Sequence, residues 1–250
     1  MTDRGWALIT GGARRIGAAL ALAAAEQGYD LLIHHRQAAE DAEAVAVLAR
    51  AKGRQVRVVA ADLADTTTAP AMITAAPGPV TLLVNCASVF TEDRIDTLTV
   101  GGWDAVMSAN LRGPVLLAQA FAAALPADRQ GLIVNVTDQR VWRLNPNFFS
   151  YTLSKSALWT ATQTLAQALA PRIRVNAIGP GPTLPSVHQT PEDFAAEAAS
   201  VPLNHGASTG EIAAALSYFI NAPSVTGQMI AVDGGQHLAW RTPDVVGAKP

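Results

Sequence analysis

Short, solid apolar runs recur along the chain at wide intervals: "WALIT", "DLLIH", "VRVVAAD", "TLLVNCA", "GLIVNVT", "IRVNAIG" and "QMIAVDGG". Runs of this length without polar alternation suit strands covered on both faces, as in a parallel sheet. Between them lie alanine-rich stretches of helical length. Residues 15–27 carry Ile16, Ala19, Leu20 and Ala23 on one stripe and run out at Gly28, a residue favoured just past a helix end. Strand and helix alternate from end to end, which predicts a doubly wound α/β sheet with helices on both faces. No shift in composition marks a linker, so a single domain over 1–250 is expected. The exception to the alternation is the stretch over 179–205, interrupted by Pro180, Pro182, Pro185, Pro191 and Pro202. It follows a strand end, where such sheets bind ligands, and residues 180–205 are expected to form a flexible loop over that site.

Composition narrows the picture. Half of the 250 residues are apolar and only 15% are charged, enough for one large core. With 18 basic residues against 20 acidic ones, the chain advertises no attraction to nucleic acid or to an anionic membrane, and any charge chemistry must be local. Cys86 is the only cysteine, so no intrachain disulfide can form and a reducing, cytoplasmic setting is expected. The first apolar stretch ends in glycines too soon for a signal-peptide core, and no apolar run reaches the roughly 18 residues of a membrane-spanning helix.

The candidate chemistry begins in "ITGGARRIGAAL". A strand enters Gly11 and Gly12 and leaves into a helix containing Gly17, the context that a phosphate-binding loop requires. The glycines permit close backbone approach, and the helix start offers free N–H groups and a positive dipole end to a pyrophosphate. After the second strand comes "HHRQ", with no acid for ribose hydroxyls. Arg36, with Arg15 and His35, suits the 2′-phosphate of NADP, because guanidinium binds phosphate in a planar fork; a solvated basic turn is the alternative. Asp62, after the third strand, suits the adenine amino group or an ordinary helix cap. "YTLSK" puts Tyr151 and Lys155 on one helix face, where an ammonium beside a phenol is expected to lower the phenol pKa and make it a useful acid or base.

In order along the chain, "TGGARRIG", Asp62, "NCAS", Asn110 in "SANLRGP", "YTLSK", "GPGPT" and "VDGG" resemble the signposts of the short-chain dehydrogenase/reductase family over nearly the whole length. The resemblance implies a Rossmann-type sheet of about seven strands, a nicotinamide cofactor, hydride transfer and commonly a homotetramer. It implies Tyr151 as general acid and Lys155 as the group that lowers its pKa and holds the nicotinamide ribose. Asn110 would support a water leading to Lys155, or simply be a polar helix kink. For the cofactor, NADPH, it implies Gly11, Arg15, Ile16, Gly17, His35, Arg36, Asp62, Leu63, Asn85, Ala87, Tyr151, Lys155, Pro180, Gly181 and Thr183.

Two departures from the common pattern stand out: Arg15 replaces the third loop glycine, and Asp138 replaces the serine that precedes the catalytic tyrosine. Both resemble the pteridine reductase branch, which further implies that Ser88 contacts the pterin and Phe90 stacks on it. Core packing is the alternative for Phe90, and a turn cap for Asp138. Reduction of a ring C=N calls for a proton at nitrogen, which a carboxyl group can pass or orient, whereas carbonyl reduction makes an oxyanion that a hydroxyl donor stabilises. Sequence leaves the charge of Asp138 open. His34, His35, His188, His205 and His237 show no metal spacing, and no metal is expected. Trp142, Arg143 and Trp159 flank the site, and the tail over 236–250, with Trp240 and Arg241, either packs on a neighbour or frays. The expected function is NADPH-dependent reduction of a dihydropterin or dihydrofolate. The rivals are a carbonyl or 3-oxoacyl thioester reductase and a non-catalytic NADPH sensor.

Overall fold

The structure, a computed structural model, describes residues 4–186 and 189–240, so His188, Arg241 and the rest of the tail from 241 lie outside the described residues. Every apolar run is a strand: β1 (Trp6–Thr10), β2 (Asp30–His35), β3 (Val56–Ala60), β4 (Val80–Asn85), β5 (Gly131–Val136), β6 (Ile173–Pro180) and β7 (Met229–Val232). They form one seven-stranded sheet in the order β3-β2-β1-β4-β5-β6-β7, with every neighbouring pair parallel. This is the expected Rossmann-type doubly wound architecture.

Successive strand residues point to opposite faces, and both faces are apolar. Ala7, Ile9, Leu31, Ile33, Leu82 and Val84 pack with helices α1 (Arg15–Glu26), α2 (Ala39–Ala51) and α8 (Thr209–Asn221). Leu8, Leu32, Leu83 and Ile133 pack with α3 (Thr68–Thr74), α5 (Gly113–Ala124) and the N-terminal strand's Trp6. Each fully buried Leu, Ile or Phe contributes about 1.5–3 kcal/mol relative to exposure, so the period-two pattern fixes the register of the whole sheet. Helix α1 ends as expected, with Gly28 at φ 94°.

Helix α4 (Val100–Met107) runs through a π-helical turn, Ser108–Arg112, into α5, and α6 (Phe149–Leu169) carries "YTLSK". The proline-rich stretch corrects one expectation: it contains a ten-residue helix, α7 (Pro191–Ser200), opened by a capping box between Thr190 and Asp193. Pro191 stands in the first turn, where a missing N–H costs no intrahelical bond, so a residue expected to interrupt structure starts it. The winding direction reverses between β1 and β4, and this opens a crevice beyond the paired strand ends Thr10 and Asn85.

Candidate active site

A cleft of about 730 Å³ lies at that crevice. One wall is the β1–α1 loop. A Cβ on Gly17 would lie 2.0 Å from the Gly11 carbonyl oxygen, and one on Gly11 would lie 2.9 Å from Ala87 Cα, so the loop closes against β4 only because both are glycine. Thr10 Oγ1 accepts from Cys86 N (2.9 Å) and Ala87 N (3.1 Å). His34 completes the joint: its Nδ1 accepts from Gly11 N at 3.1 Å, which leaves the proton on Nε2 to donate to Ala61 O at 3.1 Å. Burial holds its pKa below the ordinary histidine value, consistent with that neutral tautomer. Sequence reasoning assigned His34 no role. The start of α1 has no acidic residue in its first turn and no side-chain cap, so it presents the electropositive, unsatisfied N–H end that fits an anionic group.

Arg15 occupies the third-glycine position with φ 54°, the left-handed region that explains why glycine suits it. Its guanidinium spans the cleft and donates to Pro185 O (2.8 Å) and Leu184 O (3.1 Å). The fork thus meets backbone carbonyls of the opposite rim. Arg36 is exposed at the end of β2. His35 is buried, its Nδ1 accepting from Ala38 N at 3.2 Å. Arg14, left without a role by the sequence, pairs with exposed Asp41.

The opposite wall carries the buried ionisable groups. Asp138 follows β5 and caps a short 3-10 turn, Gln139–Val141: Oδ1 accepts from Arg140 N at 2.8 Å and Oδ2 accepts from the Tyr151 hydroxyl at 2.9 Å. The turn cap expected of Asp138 is present, and the same carboxyl also meets the Tyr151 hydroxyl. Lys155 is 2% exposed, and its Nζ donates to Val136 O at 2.8 Å and lies 5.6 Å from the Tyr151 ring centre. Helix α6 is held by Asp93 rather than by its own N-cap: Asp93 Oδ1 accepts from Ser150 N at 3.1 Å and Oδ2 from Ser150 Oγ.

The charges differ from expectation. Burial, and then the charge of and hydrogen bond to Asp138, push the Tyr151 phenol well above its ordinary pKa of 10. Burial and Asp138 dominate, in place of the lowering expected from Lys155. The ammonium is itself lowered by burial to about 8, and desolvation raises the Asp138 carboxyl despite Arg140. The result is a phenol kept protonated and a carboxyl biased towards protonation. Burial also pushes the nearby Cys86 thiol up to about 11, so it is no thiolate nucleophile.

Asn110 is fully buried and its side chain is saturated: Oδ1 accepts from Val89 N and Ser88 Oγ, while Nδ2 donates to Val89 O and Ser154 Oγ. It positions Ser88 through its side chain at the π-helical turn, the polar helix irregularity expected there. Asn85 is likewise turned inward, donating to Asn135 Oδ1 at 2.8 Å, and Leu63 is buried against Gly113, so neither side chain lines the cleft. Asp62 is exposed and caps its own turn through Ala64 N. Gly11, Arg15, Ile16, Gly17, Ala87, Ser88, Phe90, Asp138, Tyr151, Lys155, Pro180, Gly181 and Thr183 do line it.

Phe90 stacks on Phe148, with ring centroids 4.3 Å apart and 12° between planes, and meets Tyr151 edge-on at 4.7 Å. The outer rim, which sequence reasoning missed, comes from α7 and the chain end: Phe194 and Glu197 face the cleft, and the Glu197 carboxylate accepts from Gln189 Nε2 and Gln236 Nε2. Trp142 lies outside, 44% exposed, edge-on to Trp159 at 6.3 Å. Among the described residues no cluster of His, Cys, Asp or Glu could hold a metal ion, and no helix is long and apolar enough to cross a membrane.

A sequence model of the family described as enoyl-(acyl carrier protein) reductase matches residues 11–237. The chain is 50% identical to FolM alternative dihydrofolate reductase 1 from Brucella canis, solved in complex with NADP; the match covers 98% of both chains with a TM-score of 0.93. A short chain dehydrogenase from Burkholderia cenocepacia, also solved with NADP, is 31% identical over 95% of this chain and 99% of its own, with a TM-score of 0.86. The 3-oxoacyl-[acyl-carrier-protein] reductase FabG of Staphylococcus aureus is 30% identical over 93% of this chain and 98% of its own.

Proposed function

Because the chain belongs to the short-chain dehydrogenase/reductase family, we propose that it is an NADPH-dependent reductase of a ring C=N bond in a dihydropterin or dihydrofolate. The observation that carries this reading is Asp138, hydrogen-bonded to the Tyr151 hydroxyl beside the Phe90 wall. The FolM structure, half identical along nearly the whole chain and bound to NADP, supports it.

The uncapped start of α1 and the glycine-built loop fit a pyrophosphate, and exposed Arg36 at the end of β2 would meet a 2′-phosphate. The nicotinamide cofactor, when bound, supplies the hydride. Proton delivery to the ring nitrogen belongs to this chain. If Asp138 were ionised, loss of the Tyr151 proton would leave two anions in contact, which the raised phenol pKa opposes. With Asp138 protonated, Tyr151 gives its proton to the substrate nitrogen and regains one from the carboxyl, leaving a single carboxylate near Lys155. The wall thus rests with its protons in place, the state from which a reduction draws one.

The similarity to FabG supports a second reading, reduction of a 3-oxoacyl thioester. The test is loss of NADPH absorbance with the purified protein and dihydrobiopterin, dihydrofolate or acetoacetyl thioester. Turnover of either ring substrate is expected; turnover of the thioester alone would replace the first reading by the second.

A further inference from the structure

Arg140 belongs to no part of the mechanism above, yet it lines the cleft from the rigid turn that starts at Asp138. Its guanidinium carbon lies 4.9 Å from the Phe148 ring centre and 5.6 Å from that of Phe90. Its Nη1 is buried and has no hydrogen-bond partner. Aromatic faces attract the cation but accept its hydrogen bonds poorly, and a buried donor without an acceptor is among the more costly features a site can keep. The adjacent carboxylate does not relieve it, because Asp138 is engaged by the Arg140 backbone N–H and by Tyr151. Guanidinium has donors and no acceptor, so its complement must be an acceptor.

We infer that Arg140 is a specificity-determining residue, whose guanidinium receives a carbonyl oxygen on the edge of a flat ring lying against Phe90. This rests on the ring-reductase reading. In a 2-amino-4-oxo dihydropterin the carbonyl neighbours the ring nitrogen that is protonated. A ring that presents this nitrogen to Tyr151 therefore brings its oxygen to the wall that carries Arg140. The seat on Phe90 is filled here by Phe148, whose own backbone sits at φ 54°, a left-handed conformation unfavourable to a side chain. A ring that takes this seat uncovers the arginine and supplies what it lacks. Residue 140 thereby links recognition of the flat ring to recognition of its edge.

Two ligands of equal shape separate this from simple packing: 2-amino-4-oxopteridine, and 2,4-diaminopteridine, in which a donor replaces the carbonyl. Their affinities for the NADP complex, read from quenching of ligand fluorescence, are compared in the wild type, Arg140→Met and Arg140→Lys. Arg140→Met keeps a flexible apolar stem on the two rings and is expected to weaken the oxo ligand at least ~10-fold relative to the diamino ligand, the loss of one charge-assisted hydrogen bond. Arg140→Lys, a point charge without the fork, should recover only part of it. If Arg140→Met changes both ligands alike or neither, while the wild type reduces a dihydropterin, this inference falls and the ring-reductase reading stands. If the wild type binds neither ring and turns over only the thioester, both fall.

Discussion

The two walls of the cleft are built on opposite principles. On the β1–α1 side the polar groups at the joint are answered before any ligand arrives: His34 uses both ring nitrogens, Thr10 takes two backbone N–H groups, and glycines let backbone meet backbone. On the Asp138–Tyr151 side the charges are buried and poorly answered. Burial pushes Asp138 up and Lys155 down, and Arg140 keeps an orphaned donor. The first wall is a mould whose shape is its function. The second holds ionisable groups where burial penalises their charged forms, at a cost in stability, and such costs concentrate where chemistry is done.

The change expected to be largest is Asp138→Asn. It keeps the shape of the wall and removes the proton reservoir, so kcat/KM for a ring substrate should fall about 100-fold or more, within the range general acid catalysis contributes. Affinity for NADPH, whose proposed phosphate contacts lie at the β1–α1 loop and Arg36 and not at Asp138, should stay within about twofold. The pH profile adds a sign. A carboxyl with a raised pKa stays protonated further up the scale, and the wild-type rate falls as pH rises through that raised value. Asp138→Asn should lose that limb. A variant that loses rate and NADPH affinity together would mean that the walls are not separable.

This asymmetry also explains what could be read in the sequence. The strands, their faces and the phosphate loop were legible because they depend on local pattern: apolar runs, a glycine at a turn, a helix stripe. Asp138, Tyr151 and Lys155 were legible as residues, but their charges were not. Lys155 was expected to lower the phenol pKa, and only the fold shows that burial and Asp138 outweigh it. Arg15 was visible as a departure, whereas its partners Leu184 and Pro185 lie at a separation no local pattern spans. The α7 rim was missed although its signal was present, since "TPED" is a capping box with proline in the first turn. Proline breaks a helix only beyond its first turn, so its position decides what it signals.

Stability gives the second comparison. Lys155 holds its charge only below about 8 in the folded chain but to near 10.5 when unfolded. Below the folded value the penalty is fully present. Between the two values the unfolded chain binds more protons, and stability rises with pH. Lys155→Met removes the penalty, worth about 3 kcal/mol at neutral pH, less about 1 kcal/mol for the Val136 carbonyl left without its donor. Urea unfolding should therefore find the variant about 2 kcal/mol more stable at pH 7, with the gap narrowing towards pH 10, while activity collapses. A variant less stable at pH 7 would show that the buried ammonium is held favourably.

The smallest expected effect comes from the residue that ties the first wall to the rim at Leu184 and Pro185. Arg15→Gly relieves a left-handed conformation that costs a side chain roughly 1–2 kcal/mol, partly offset by glycine's greater freedom when unfolded. It also removes the two hydrogen bonds to Leu184 and Pro185, which lie in exposed surroundings where water replaces much of what is lost. The opposing contributions nearly cancel, and urea unfolding should place the variant within about 1 kcal/mol of the wild type. The tie itself should be felt locally, as faster proteolytic cleavage at 184–186 at unchanged global stability. If global stability instead drops by well over 1 kcal/mol, the arginine fork supports the glycine loop and the rim at Leu184 and Pro185 as one unit. Arg15 would then be the point where the mould and the rim over the cleft depend on each other.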